Sequence, residues 1–156
     1  MTTTARVLTG IAVAGAIGLL IFGFLTWRSV HVERVAANEA LRRFSDVRER
    51  FSGLAPILRV GPEGRIVQRS QPTAATQPPK HFYVLAYHAA GQRLVHADIP
   101  FWFLTAKGPA ARFALRGTGL DLDRLGVSPA DLKRYGPSLV LDEASADGGR
   151  LLVWTE

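Results

Sequence analysis

Four histidines, His31, His81, His88 and His96, are the side chains of this 156-residue chain best suited to bind a metal or move a proton near neutral pH. Their spacing argues against both roles. No H-x-x-x-H pair would bring two imidazoles together on one helix face, and His81 to His88 reads instead as a strand paired with Arg93 to Ile99. If Ala90 and Gly91 form the turn, paired residue numbers sum to 181. His81 and His96 then share a sheet face and His88 takes the other, while His81 stands roughly 13 Å along the strand from the residue opposite His96. Three convergent ligands do not result. The chain has no cysteine, which removes thiolate nucleophiles, Cys-ligated zinc, iron–sulfur clusters and disulfides together.

The other reactive types are no better placed. Asp121 with Asp123, and Asp142 with Glu143 and Asp147, lack the ligand spacing of a calcium loop and read as turn or solvent-face acids. Gly117-Thr118-Gly119 is a fragment of a phosphate loop without the third glycine, lysine or following helix. None of the serines lies in G-x-S-x-G. The expectation is therefore a protein that is not an enzyme, with no catalytic residue, resident metal, cofactor or obligatory small molecule.

Charge is the next candidate for function. The net charge of +6 divides into +3 over residues 1–54, +6 over 55–116 and −3 over 117–156. The basic excess in the middle, from Arg59 to Arg116, is scattered singly through strands and loops. That is not the clustered stripe that nucleic acid requires. A basic surface facing anionic lipid or an acidic partner fits better.

The elements that must position these groups begin with an anchor. After a short tail at 1–6, residues 7–27 contain no charge and rise roughly 31 Å as a helix, enough to cross a bilayer. Trp27 and Arg28 close the segment as an interface aromatic and a headgroup-level charge. A signal peptide would have a shorter apolar core followed by small cleavage-site residues. Gly10, Ala14 and Gly18 recur every four positions, a small-residue face that lets a partner helix approach closely. Arg28, Arg34, Arg42 and Arg43 outnumber the single Arg6 on the other side, so the C-terminal domain is expected on the cytoplasmic side of an inner or plasma membrane.

Residues 28–54 show apolar side chains at helical spacing, Val30, Ala37, Leu41, Phe44, Val47 and Phe51, and predict one amphipathic juxtamembrane helix continuous with the anchor. Its stripe would pack on the β domain or on a partner. Gly53 and Pro56 end it. The remaining 55–156 predict a small α+β domain, mainly antiparallel, with a Pro-rich loop at 70–79 and one or two short helices. Its strand pairs are 57–60 with 65–69, the 181 hairpin, and 139–142 with 151–155 about Asp147-Gly148, for which a sum of 295 is expected. Ser128-Pro129-Ala130-Asp131 carries the cap, N1 proline and first-turn acid of a helix stopped by Gly136-Pro137.

The aromatic positions Phe44 and Phe51 on the stripe, and Phe101, Trp102 and Phe103 after the hairpin, are candidate partner contacts as well as candidate core. Together these features predict a single-pass accessory or structural subunit that docks into a larger integral membrane complex, such as an energy-transducing or transport assembly. Its partners would be the bilayer and other integral membrane subunits. A membrane-tethered sensor or regulator that binds a small ligand or a signalling protein is the alternative.

Overall fold

Seven strands hydrogen-bond into one sheet in the computed structural model, which describes residues 30–61, 66–70, 75, 77–105, 118, 120 and 122–156. The segment expected to be an anchor, and with it Gly10, Ala14, Gly18, Trp27 and Arg28, lies outside the described residues; among those described, no helix is long and apolar enough to cross a membrane. In chain order the elements are β1 (Val30–Arg34), α1 (Ala37–Arg50), β2 (Leu58–Val60), β3 (Ile66–Arg69), β4 (His81–His88) and β5 (Arg93–Pro100), then α2 (Phe101–Thr105), α3 (Leu122–Leu125), α4 (Pro129–Tyr135), β6 (Ser138–Ala144) and β7 (Arg150–Thr155). The sheet order is β1-β5-β4-β7-β6-β2-β3, antiparallel throughout except where β2 runs parallel to β6.

The β4–β5 hairpin has the expected register, from His81↔Pro100 to His88↔Arg93. A short 3-10 turn, Ala89–Gly91, joins the strands, with Gln92 in the left-handed region at φ 47°. Alternation along the strands then divides their side chains between two layers. On one face Phe82, Val84, Ala97 and Ile99 pack with Leu58, Val140, Leu141 and Val153 against Phe101, Phe103 and Leu104 of α2 and Leu132 and Tyr135 of α4. On the other, Leu85, Tyr87 and Leu94 join Leu139, Leu152 and Trp154 beneath α1. A sheet apolar on both faces needs cover on both, and these helices supply it.

Two expectations about boundaries and register are corrected. The helix does not continue from the anchor through residue 34: Val30–Arg34 is a strand paired antiparallel with β5 from Val30↔Ala97 to Arg34↔Arg93. V-H-V-E alternates with period two, and the open edge of β5 offers it a ladder of hydrogen bonds that an isolated helical turn would lack. The Val35 N–H extends the pairing to the Gln92 carbonyl at 2.9 Å, and the helix starts only at Ala37. The C-terminal hairpin begins Ser138↔Thr155 and Leu139↔Trp154, then slips at Val140 so that Leu141 faces Val153. This bulge moves Leu141 to the α2/α4 face, and the connection closes through Gly148 at φ 81°, the Ser145 N–H donating to the Gly149 carbonyl at 2.9 Å.

Helix α1 buries Ala40, Phe44, Val47 and Phe51 at spacings of four, three and four, leaving Leu41 exposed. Polar contacts fix its pose. Arg48 and Arg150 both pair with Asp142, whose side chain is only 7% exposed, and the Arg150 guanidinium lies 5.3 Å from the centre of the Phe44 ring. Arg43 reaches Glu33 of β1 at 3.0 Å, tying the edge strand to the helix. Helix α4 has the expected start: the Asp131 N–H donates to Ser128 Oγ at 3.1 Å and the Ser128 N–H donates to Asp131 Oδ2 at 3.1 Å. These bonds also hold the Asp131 carboxyl below its ordinary range, the side-chain bond from Ser128 being the larger cause.

Of the five aromatic candidates for partner contact, Phe44, Phe51, Phe101 and Phe103 are buried in the domain's own two cores, and Trp102 alone is exposed, at 61%. The sheet itself provides the apolar surface that the four phenylalanines fill. Phe44→Ala should therefore lower the unfolding free energy by about 3–5 kcal/mol through the cavity left under α1, whereas Trp102→Ala should cost about 1 kcal/mol or less. Denaturant unfolding of the detergent-solubilised chain checks both.

Candidate functional site: a ring platform on the half-covered sheet face

Helix α1 covers its sheet face only in part. Period two along β4 places His81 and Tyr83 on the same face as Leu85 and Tyr87, and β5 places His96 and Asp98 beside Leu94. The Leu85–Tyr87–Leu94 end is under the helix, but His81, Tyr83, His96 and Asp98 remain half-buried, with exposed His31 directly across from His96 on β1. Tyr83 is the centre, paired laterally with Asp98 on one side and Trp154 on the other.

Four rings lie nearly parallel there. Tyr83 stacks on Trp154 at 5.1 Å, on His81 at 5.7 Å and on His96 at 6.3 Å, and His96 lies 6.4 Å from Trp154, with interplanar angles of 9° to 16°. Trp154 is 2% exposed, and its Nε1–H has no hydrogen-bond partner among the described residues. An unmet buried donor of this kind costs about 1–3 kcal/mol of desolvation. The platform is thus held by ring contact and by neighbouring strands.

At the open edge His81 Nδ1 and Asp98 Oδ1 are 2.6 Å apart. Beside an ionised Asp98, Nδ1 carries the proton and donates, which leaves Nε2 an acceptor on the neutral ring and a donor on the imidazolium. Burial pushes the Tyr83 phenol up, helped by the charges of Asp98 and Glu156 and opposed by Arg50, so it stays a neutral O–H. Burial pulls the His96 imidazole down, and the nearby His31 and Arg43 act in the same direction against Asp98 and Glu33. The surface offers half-buried rings stacked on one another, with a neutral phenol, an imidazole–carboxylate pair and a neutral imidazole among them. Such a surface can contact an apolar group and fix its orientation with a few hydrogen bonds.

The remaining sequence candidates fall elsewhere. Asp142 is held between two arginines, Asp147 accepts from the Gly149 N–H at 3.0 Å within its turn, and His88 stands at the opposite end of β4. Ser128 is a helix cap, and Ser138 joins Thr155 and the Gly136 carbonyl where the strands end. Gly117, Gly119 and Asp121 lie outside the described residues. Among the described residues no group of three His, Cys, Asp or Glu side chains is arranged to hold a metal ion. The 181 register puts His81 and His96 on one face, and Tyr83 and Asp98 fall with them; it does not bring Trp154 there, because the β4–β7 pairing joins residues some seventy positions apart. The chain matches no protein-family model, no curated protein and no solved structure.

The His96 environment has a pH consequence. With its folded pKa below the ordinary imidazole value of about 6.5, the unfolded chain takes up the proton first as pH falls. Stability contributed by neutral His96 is therefore complete above that value and declines below it, until the folded form also protonates. Thermal midpoints measured from pH 7.5 to 5 should fall on acidification, and His96→Gln should reduce that fall. A decline of equal size in both proteins would contradict the role given to His96.

Proposed function

We propose that this chain is a non-enzymatic, single-pass accessory subunit of a larger integral membrane complex, anchored by residues 7–27 and presenting the ring platform to a neighbouring subunit. The observation that carries this reading is the half-covered face itself: Tyr83, His81, His96 and Asp98 stay accessible around a buried Trp154 while Leu85, Tyr87, Leu94, Leu139 and Leu152 of the same face are packed. Stacked aromatics with polar edges match the anchor chemistry of protein interfaces, where Tyr and Trp supply area at low entropic cost and the rim supplies hydrogen bonds.

The attachment supports the same reading. Only Arg28 and Ser29 separate Trp27 from the first residue of β1, so Val30 lies within about 11 Å of the segment's end even with the chain fully extended. A domain held that close can engage the extramembrane part of a partner whose helix packs on Gly10, Ala14 and Gly18. The host is an inner or plasma membrane complex, with the domain on the cytoplasmic side.

The His81–Asp98 pair beside half-buried rings also favours a second reading, a membrane-tethered sensor or regulator that takes a small ligand there. Native-gel migration after mild solubilisation separates the two. The subunit reading expects stoichiometric co-migration with a large complex, reduced by Tyr83→Ala and by Gly10→Leu combined with Gly18→Leu, each with unchanged far-ultraviolet circular dichroism. A chain that migrates alone and binds a defined metabolite would overturn it.

A further inference from the structure

The strand directions gather one set of loops at a single end of the sheet. β1 begins there at Val30, opposite Ala97, and β5 runs three residues further to Pro100 before α2 turns away. β7 ends there at Thr155, β6 starts there at Ser138, and α1, which begins at the opposite end beside Gln92, delivers its last residue Arg50 to Glu156 at 3.2 Å. The loop from α1 to β2 therefore lies at this end as well, the Ile57 N–H donating to the Leu139 carbonyl at 2.9 Å.

Five large apolar side chains are exposed among the described residues: Val32, Leu41, Leu54, Val67 and Trp102. Val32, Leu41 and Val67 lie within strands or the helix, along the flanks. The two carried by the rim, Leu54 at 58% and Trp102 at 61% exposure, are both at the end where the chain enters β1. Among the described residues, the 89–92 and 145–149 connections at the opposite rim carry none. Neither rim residue is in a position that folding requires: the buried neighbours of Trp102 are Phe101 and Phe103, and Leu54 follows the helix stop. Exposed Lys80 sits at the start of α2, its carbonyl accepting from the Phe101 N–H at 2.8 Å, and Arg50 lies on the α1 side.

The chain outside the described residues identifies what this rim meets. Its apolar segment stops at Trp27, within about 11 Å of Val30, and β5 carries the chain roughly 10 Å past Ala97 toward the same level. We propose that this rim rests in the headgroup layer of the bilayer that holds residues 7–27, with Leu54 and Trp102 entering the interface and Lys80 and Arg50 at the level of the phosphates. The proposal rests on the membrane-anchored reading above and adds the orientation of the domain. Tryptophan with one wet edge and lysine beside it are the side chains that the interface accepts best.

The absence of cysteine makes the test background-free. Leu54→Cys, Trp102→Cys, Ala90→Cys on the far rim and Ala14→Cys within the anchor each receive a nitroxide label, and the full chain is reconstituted into vesicles of phosphatidylcholine with phosphatidylglycerol. Collision with oxygen, which concentrates in lipid, is compared with collision with a water-soluble nickel complex; circular dichroism confirms that each variant is folded. The oxygen-to-nickel ratio should be several-fold higher at 54 and 102 than at 90, and highest at 14. Equal ratios at 54, 102 and 90 with a lipid-like value at 14 would show the domain standing off the membrane and overturn the proposal alone. A water-like value at 14 would remove the anchor itself. Low accessibility to both reagents at 54 and 102 would mean that protein covers them, which also overturns it.

Discussion

Strands β4, β7 and β6 bury side chains on both faces, and the rest of the domain follows from having to cover that sheet twice. Phe82, Val84 and Val153 point one way while Leu85, Leu152 and Trp154 point the other, so neither face can be left to water. Short helices after β5 and before β6 close the first face. The second is closed by a single helix, α1, which arrives from the far end of β1 and is too narrow to cover the whole of it. The uncovered remainder is the ring platform. The candidate site is thus a direct result of placing one helix on one face of a seven-stranded sheet.

Covering the second face with one helix makes its pose critical, and polar groups fix it. Asp142 lies on the bulged strand β6, near the slip at Val140, and meets Arg48 from α1 and Arg150 from β7. A nearly buried carboxylate between two guanidiniums gains less from Coulomb attraction than from leaving no charge uncompensated, so its contribution is mainly positional. Arg150 also covers Phe44, the most buried ring of α1, coupling the ion pairs to the apolar contact. The Glu33–Arg43 and Arg50–Glu156 pairs are more exposed and contribute correspondingly little.

Local signals explain which parts were legible in the sequence. His81 to Ile99 carries two strand-like runs about a short turn at Ala90-Gly91, so placing that turn fixes register and faces without knowledge of the rest. Ser128-Pro129 with Gly136 likewise marked α4, because capping chemistry acts within four residues. Val30 was read as helical because it stands seven positions before Ala37, yet Val30 and Val32 also alternate with His31 and Glu33; the deciding partner, β5, lies more than sixty residues away. The same distance problem hid Trp154 from Tyr83. The last hairpin pairs with a sum of 294 beside its turn instead of 295, and the bulge at Val140 takes it to 293; nothing in L-V-L-D announces the second step. The expectation of an anchor at residues 7–27 rests on composition alone, on freedom from charge over the thickness of a bilayer, and that segment lies outside the described residues.

The proposed function joins these elements in one physical picture: the apolar segment at residues 7–27 would hold the half-covered sheet close to a membrane, with its open rings toward a neighbouring subunit. A photoreactive benzoylphenylalanine at position 83, in native membranes, tests this most directly because it replaces one ring by another at the centre of the platform. Irradiation should give one stoichiometric adduct with a second integral membrane polypeptide, absent when the same group is placed at position 90. No adduct at position 83, or adducts with lipid alone, would contradict it.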